Sequence, residues 1–305
     1  MVRVSAVQAA PLLFEPDVTI ERFSQWLKKA AEDNSDLVVF PEAFLGGYPK
    51  GVDFGARVGS RDMAGRDLFQ SYFETAFARD GSLMKQARAL IKDAGINVVV
   101  GVIERDGGTL YCAAVTLDRK GDIITWRRKL MPTAMERIIW GFGDGSTTKV
   151  AELDQGIVSS AICWENYMPL LRQHFYNQRT EFHCVPTVDD RPVWLPTMQM
   201  IALEGRCFVI SACQFMQRSD VKAGVTFDAI QGDTPETVLI NGGSCIISPL
   251  GEILQAPVFG KECLISADVD KGEITRAKFD LDTAGHYARN DVFSLTVNDG
   301  SDASR

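Results

Sequence analysis

Short apolar runs rich in valine and isoleucine alternate along the chain with amphipathic stretches and polar turns. Apolar runs of four to eight residues between turn residues are typical of buried β-strands. We therefore predict strands at residues 2–8, 37–40, 96–103, 109–117, 123–129, 157–162, 182–186, 207–212, 244–248 and 264–269.

The amphipathic stretches predict four helices. The first follows Asp17, which is placed to cap its N-terminus, and its apolar residues recur at helical spacing. The second covers residues 83–94, with Ser82 as its N-cap and Gly95 at its end. The other two cover residues 168–178 and 198–205.

This order of elements predicts an α/β fold of mixed sheets with helices on the outside. No linker or fixed-period repeat divides the chain, so we expect a single domain over residues 1–305. Residues 43–66 and 215–242 lack a clear period, and irregular stretches of this length are usually functional or interfacial. The polar residues 298–305 are expected to fray.

Composition narrows the function classes. The 305 residues are 46% hydrophobic and carry a formal net charge of −8, which disfavours binding to nucleic acid or to an anionic membrane surface. No apolar run approaches the about 20 residues of a membrane span, and the N-terminus reads as a strand, not a signal peptide. Seven scattered cysteines without a CxxC pair, together with three histidines, favour neither a disulfide framework nor a zinc site. We expect a cytoplasmic protein.

One cysteine stands where chemistry is plausible. Cys163 directly follows a predicted strand and precedes a helix, and ligands bind at such strand ends in α/β proteins. A helix N-terminus would also favour the thiolate. The alternative is an ordinary buried cysteine. Each of the histidines His174, His183 and His286 is a possible base for the thiol, but none has an obvious orienting carboxylate nearby.

Two further segments offer partners for this thiol. Glu42 follows a buried strand among apolar neighbours, and burial would raise its pKa toward the range of a general base. On the strand that ends near Lys129, side chains alternate, so Arg128 points away from Arg127 and Lys129, and one basic group is expected to face inward. The alternatives are a solvated glutamate and a solvated basic face.

The candidate residues occur along the chain in the order glutamate, lysine, cysteine. In this order and in its motifs, the chain resembles the carbon–nitrogen hydrolase (nitrilase) superfamily, and within it the nitrilase branch. The resemblance spans nearly the whole chain. Its motifs are Phe-Pro-Glu-Ala-Phe at 40–44, Arg-Lys-Leu-Met-Pro-Thr at 128–133, Glu-Arg at 136–137, Trp-Gly at 140–141, Cys-Trp-Glu-Asn at 163–166, Ala-Leu-Glu-Gly-Arg at 202–206 and Gly-His-Tyr-Ala-Arg at 285–289.

The resemblance implies a four-layer α-β-β-α sandwich and a catalytic set of Glu42, Lys129 and Cys163, with Glu136 as the family's second glutamate. It implies hydrolysis of a nitrile by two waters through a thioimidate and a thioester on Cys163, with no metal or organic cofactor. It also implies a homodimer that builds larger homo-oligomers. The chain departs from the family at Asn290, where a proline is usual, and its short C-terminal tail puts long filaments in doubt.

Side chains near the motifs are candidates to bind the substrate, and those we single out are Tyr48, Trp164, Glu165 and Trp194. Aromatic side chains among them would wall a pocket for an alkyl or aryl nitrile, although core packing is the simpler explanation for each one alone. Two other functions stay open. One is an amidase or N-carbamoyl hydrolase of the same superfamily, and the other is a non-catalytic oligomeric scaffold.

Overall fold

The computed structural model describes residues 1–225, 227 and 230–300. The strands run in chain order as β1 (Val2–Gln8), β2 (Leu37–Val39), β3 (Asn97–Asp106), β4 (Thr109–Leu117), β5 (Ile123–Arg128), β6 (Ala151–Leu153), β7 (Gly156–Ser160), β8 (Phe182–Thr187), β9 (Phe208–Cys213), β10 (Phe215–Gln217), β11 (Val238–Asn241), β12 (Cys245–Ile247), β13 (Ile253–Gln255) and β14 (Cys263–Val269). The helices are α1 (Pro16–Glu32), α2 (Met63–Thr75), α3 (Ser82–Ala94), α4 (Pro169–Asn177), α5 (Trp194–Gly205) and α6 (Gly272–Ala277).

Two six-stranded sheets form the centre of the fold. Their strand orders are β14-β1-β2-β3-β4-β5 and β13-β12-β9-β8-β7-β6. In the first sheet β1, β2 and β3 are parallel, and in the second β7, β8 and β9 are parallel, while the outer strands pair antiparallel. Because β5 is antiparallel to β4, which is antiparallel to β3, β5 runs in the same direction as β2.

The layers follow from which side chains pack together. Val4 and Val39 of the first sheet share a core cluster with Phe182 and Ile210 of the second, so the sheets pack face to face. On the outer face of the first sheet lie the apolar sides of α1 and α3. On the outer face of the second lie α4 and α5. The predicted four-layer α-β-β-α sandwich is therefore confirmed.

Several local expectations differ from the structure. Helix α1 begins at Pro16 with Glu15 before it, so Asp17 lies in the first turn and is not the cap. Gly81, not Ser82, is the N-cap of α3, while Gly95 ends that helix in the left-handed conformation as predicted. Proline at the first helical position supplies a fixed φ and no unsatisfied N–H, which explains the start of α1.

The two segments expected to be irregular contain regular structure. Residues 43–66 run into α2, whose N-cap Asp62 accepts a hydrogen bond from the amide of Gly65 at 2.6 Å. Residues 215–242 contain β10 and β11, which pair antiparallel. Of the predicted tail, residues 298–300 are described and 301–305 lie outside the described residues. Among the described residues, no helix is long and apolar enough to cross a membrane.

Candidate active site

The candidate chemistry gathers where strands of the same direction end. Glu42 follows β2, Lys129 follows β5 and Cys163 follows β7. The carboxyl ends of such strands lie at one edge of each sheet, and the two sheets bring their edges together. All three side chains are buried there, Glu42 and Lys129 completely.

The segment that carries Glu42 continues along β3 beyond the end of β2. The amide of Phe40 donates to the carbonyl of Val99 at 2.8 Å. The amide of Leu45 donates to the carbonyl of Gly101 at 3.0 Å. At Gly101 the two backbones come so close that a Cβ would overlap the carbonyl oxygen of Pro41 and the amide nitrogen of Ala43. Glycine at this position therefore lets the Glu42 backbone lie directly on β3.

Lys129 joins the two candidate carboxylates. Its Nζ donates to Glu42 Oε1 at 2.6 Å and to Glu136 Oε2 at 2.7 Å. Glu136 belongs to a 3-10 turn whose start it caps, since its Oε2 also accepts from the amide of Thr133 at 2.6 Å. Tyr48 donates to the other oxygen of Glu136 at 2.9 Å. The inward-facing basic group predicted from strand alternation is thus found, and Arg128 points to the opposite face, where it pairs with Glu104.

Burial sets the protonation behaviour of this cluster. It raises the pKa of Glu42 to about 7, against the opposing charge of Lys129 and with the support of Glu136. Burial alone would lower the pKa of Lys129, but Glu42 and the neighbouring thiols, with Glu136, hold that pKa well above its usual value. Lys129 therefore stays an ammonium, while Glu42 titrates near neutral pH. Oε2 of Glu42 is buried without a hydrogen-bond partner among the described residues.

Cys163 lies at the start of a five-residue 3-10 turn, with a φ of 49°. This left-handed conformation costs a non-glycine residue about 1–2 kcal/mol. Burial and the charge of Glu42 raise the pKa of the Cys163 thiol, while Lys129 and the hydroxyl of Thr187 oppose that rise. Cys163 starts a 3-10 turn and helix α4 begins only at Pro169, so the helix N-terminus that was expected to favour a thiolate does not lie at this cysteine.

Of the three histidines, His286 is exposed, and the other two bond to groups other than this thiol. His183 is buried and bonded to Ser159 and Asn166, and burial with nearby arginines lowers its pKa to about 3. His174 bonds to Thr148 and Gln178. The group beside the thiol is the carboxylate of Glu42, so the possible Cys/His pair is not found among the described contacts.

Comparison with known proteins decides the family. Residues 3–279 match the family Carbon-nitrogen hydrolase. The chain belongs to the carbon–nitrogen hydrolase family. It is 50% identical over 297 residues to a nitrilase of Bradyrhizobium diazoefficiens, covering 97% of this chain and 92% of that protein. The predicted resemblance is confirmed.

Further relatives agree with this assignment, and a solved structure shares the fold. A bifunctional nitrilase/nitrile hydratase of Nicotiana tabacum is 47% identical over 300 residues, which cover 98% of this chain and 86% of that protein. An aliphatic nitrilase of Sinorhizobium fredii is 45% identical over 297 residues, covering 97% and 96% of the two chains. The crystal structure of an amidase from Nesterenkonia sp. superposes with a TM-score of 0.68 at 16% identity over 92% of this chain and 94% of that one, a likeness in fold.

Of the four residues predicted to bind substrate in this carbon–nitrogen hydrolase, Tyr48 lines a cavity and Trp164 lies next to Cys163. Tyr48 lines a cavity of about 280 Å³ together with Glu136 and Trp140. Trp164, next to Cys163, is partly exposed, and its indole N–H donates to Asp189 at 2.8 Å.

The other two predicted residues face protein and not the cavity. Trp194, the first residue of α5, is buried, and its indole N–H donates to the hydroxyl of Ser211 at 2.9 Å. Glu165 is buried and forms an ion pair with Arg127. Its Oε1 accepts from the amide of Leu130 at 2.6 Å, and its Oε2 accepts from the amide of Ile162 at 2.9 Å. Protein groups therefore contact both oxygens of Glu165, and in this structure the side chain holds backbone beside the site.

Sequence reasoning missed three residues around the site. Cys112 of β4 lies with its Sγ 3.6 Å from Glu42 Oε1. Gln214, just after β9, donates from Nε2 to the Glu42 carbonyl at 2.7 Å. Thr187 ends β8 beside the Cys163 thiol. Thr187 and Gln214 lie at the ends of strands and Cys112 lies within β4, but none of the three residue types indicates chemistry by itself.

Proposed function

We propose that this carbon–nitrogen hydrolase is a nitrilase, which converts an organic nitrile and two waters to a carboxylic acid and ammonia. The observation that carries the proposal is the buried chain of Glu42, Lys129 and Glu136 beside the Cys163 thiol. The nitrilase-named relatives, at 45–50% identity over nearly the whole chain, support the nitrile as substrate.

In the first half of the proposed reaction, Glu42 takes the thiol proton as the Cys163 sulfur attacks the nitrile carbon. The proton passes to the nitrile nitrogen, and a thioimidate forms. A base with a pKa of about 7 is well matched to this transfer near neutral pH. The Lys129 ammonium stabilises negative charge that develops at the reacting centre, and it is held in place by its two carboxylates.

In the second half, Glu42 deprotonates a water that adds to the thioimidate carbon. The tetrahedral intermediate loses ammonia and leaves a thioester on Cys163. A second water, activated in the same way, releases the carboxylic acid and regenerates the thiol. Loss of the sulfur in place of ammonia would instead release an amide. The bifunctional name of the Nicotiana tabacum relative supports this branch as a minor route.

The cavity beside Tyr48, Glu136 and Trp140 is where we place the substituent of the nitrile. Its volume of about 280 Å³ suits a small organic group. Val52, Phe54 and Ile139 give it apolar walls that would accept an alkyl or aryl substituent, and Lys50 and Asp53 also line it.

The decisive experiment is ammonia release from matched panels of nitriles and amides, followed by intact-mass analysis of the quenched enzyme. We expect turnover of nitriles and a mass increase on Cys163 equal to the acyl group of the substrate. Cys163→Ala should lose both, while Cys245→Ala, which removes a buried thiol of β12, should keep both. Turnover of amides alone would favour the amidase, and no turnover with an unreactive Cys163 would favour the scaffold.

We also propose that the chain is a homodimer that builds larger oligomers in a reducing, cytoplasmic setting. Exposed apolar side chains on and beside α4 and α5 support contact through this helical layer. They include Leu170, Val193 and Met200, which are 69%, 53% and 57% exposed. Sedimentation of the wild type against Leu170→Glu tests this proposal, since a charge there should yield a slower-sedimenting species.

A further inference from the structure

A buried polar chain lies behind the turn that carries Cys163. His183 of β8 is completely buried, and its Nδ1 lies 2.8 Å from the hydroxyl of Ser159 on the neighbouring strand β7. On the other side of the ring, Nε2 lies 2.8 Å from Oδ1 of Asn166. Asn166 belongs to the 3-10 turn that starts at Cys163.

The partners of Asn166 determine which group donates and which accepts in each of these hydrogen bonds. The side-chain amide of Asn166 donates to the carbonyl of Cys163 at 2.8 Å and to that of Ala161 at 3.0 Å. Both acceptors are carbonyls, so the nitrogen of Asn166 must face them and its oxygen must face His183. His183 Nε2 therefore carries the proton, and the hydroxyl of Ser159 donates to Nδ1.

The carbonyl that Asn166 holds belongs to the strained residue. Cys163 adopts a φ of 49°, and the turn keeps this conformation only while neighbouring groups hold the two peptides around it. The side chain of Asn166 holds the peptide after Cys163, and Asn166 and Glu165 together hold the peptide between Ala161 and Ile162, one residue before it. A rotation of this backbone would swing the sulfur away from Glu42 and Lys129.

We propose that His183 is a positioning residue for Cys163 and acts through Asn166. It touches neither the thiol nor the cavity. It orients the Asn166 amide, which in turn fixes the backbone conformation that aims the sulfur. This inference rests on the proposed function in so far as Cys163 is the nucleophile.

The primary test is His183→Phe, which keeps a ring and removes both hydrogen bonds. We expect kcat to fall about 10- to 100-fold with KM changed less than about threefold, because misplacing a reacting atom by about 1 Å costs up to about 100-fold. Alkylation of Cys163 by iodoacetamide should slow with it. His183→Gln, whose amide can donate to Asn166, should recover part of both rates.

A double-mutant cycle separates positioning from general loosening of the fold. If His183 acts through Asn166, adding His183→Phe to Asn166→Ala should lower kcat no further than Asn166→Ala alone. Additive losses would overturn the proposal. Cys184→Ala is the matched control, since it creates a cavity at the next residue of β8 but faces the core between the sheets. It should keep kcat and the alkylation rate.

The proposal stays testable if the main variants do not fold or if the protein does not turn over nitriles. If His183→Phe or Asn166→Ala does not fold, Ser159→Ala decides: it should lower kcat at least about threefold by loosening the ring, and an unchanged kcat would overturn the proposal. The iodoacetamide rate at Cys163 needs no nitrile. If nitrile turnover is absent but alkylation still depends on His183, the proposed function fails while the positioning role stands.

Discussion

At the scale of single residues, the environment of Glu42 determines how the site handles protons. The carboxylate is buried beside an ammonium, a second glutamate and two thiols, and burial raises its pKa to about 7. The Cys163 thiol is also harder to ionise than a free cysteine. Attack therefore requires transfer of the thiol proton to Glu42, and a protonated Glu42 cannot accept it.

The first prediction is an acid limb in the pH profile. Because Glu42 must be ionised, kcat/KM for a nitrile should fall about tenfold per pH unit below about pH 7. Initial rates between pH 5 and 9 measure this, with intrinsic fluorescence to verify that the enzyme stays folded. Glu104→Gln, at a buried glutamate that pairs with Arg128 outside the site, should keep the limb where it is. A profile flat down to pH 5 would exclude Glu42 as the base.

The sequence predicted the site residues that carry a reactive side chain and belong to a family motif. Glu42, Lys129 and Cys163 follow strands and belong to family motifs, so the sequence was sufficient to group them. Gln214 was not predictable, because its role is one contact to the Glu42 carbonyl from 172 residues away. The ion pair of Glu165 with Arg127 was not predictable either, because the two residues meet only when the two sheets pack.

At the scale of elements, a buried ion pair connects the two strand ends that carry Lys129 and Cys163. Arg127, on β5, donates to the carbonyl of Ser160 at the end of β7 at 2.8 Å and pairs with Glu165. Glu165 then accepts from the amides of Leu130 and Ile162. One side chain therefore fixes the peptide after the lysine and a peptide just before the cysteine.

The second prediction concerns this ion pair. Arg127→Met should lower the free energy of unfolding by about 3–5 kcal/mol, because it leaves the Glu165 carboxylate buried and unpaired. Denaturant titration measures the loss. Arg289→Met, at an exposed pair with Asp291, is the control and should leave the free energy of unfolding nearly unchanged.

A double variant separates the effect of this ion pair on the free energy of unfolding from its effect on kcat. Arg127→Met combined with Glu165→Gln removes the buried charge and should regain part of the stability. The glutamine has one acceptor oxygen for two amides, so kcat should remain below that of the wild type. Full recovery of kcat with stability would mean that the pair only supports folding.

Element boundaries were predictable where a single period ran without interruption. β4 was found at its observed ends, because alternation and flanking turns agree there. Helix α2 was missed since its apolar side is weak and follows a long loop, and β10 and β11 were missed because each contains only three or four residues. Such short strands are stabilised by tertiary pairing, which local patterns do not encode.

At the scale of the whole molecule, two buried groups make the folding equilibrium depend on pH in opposite directions. Glu42 has a raised pKa, so its contribution to stability is largest at low pH and is lost as pH rises through about 7. His183 has a pKa lowered to about 3, so its contribution is present above about 6.5 and is lost as pH falls. Because the two effects oppose each other, the pH dependence of the wild type's free energy of unfolding does not reveal either one by itself.

The third prediction isolates the histidine by difference. Between pH 7 and pH 5, the stability of the wild type relative to His183→Gln should fall by about 2 kcal/mol, because only the unfolded wild type gains a proton at residue 183. Chemical denaturation at each pH measures it. Cys184→Ala, which removes no group that titrates in this range, should give a constant difference. A constant difference for His183→Gln would mean that the buried ring takes up its proton over the same pH range as in the unfolded chain.

The close approach at Gly101 limits how this enzyme can be altered. An alanine there would add one methyl group to a strand without any reacting side chain, yet the methyl would push outward on the peptides flanking Glu42. The carboxylate would move relative to a sulfur attached to the opposite sheet. Engineers who vary the pocket walls to admit larger nitriles should leave this glycine untouched, since the spacing between base and nucleophile depends on its missing side chain.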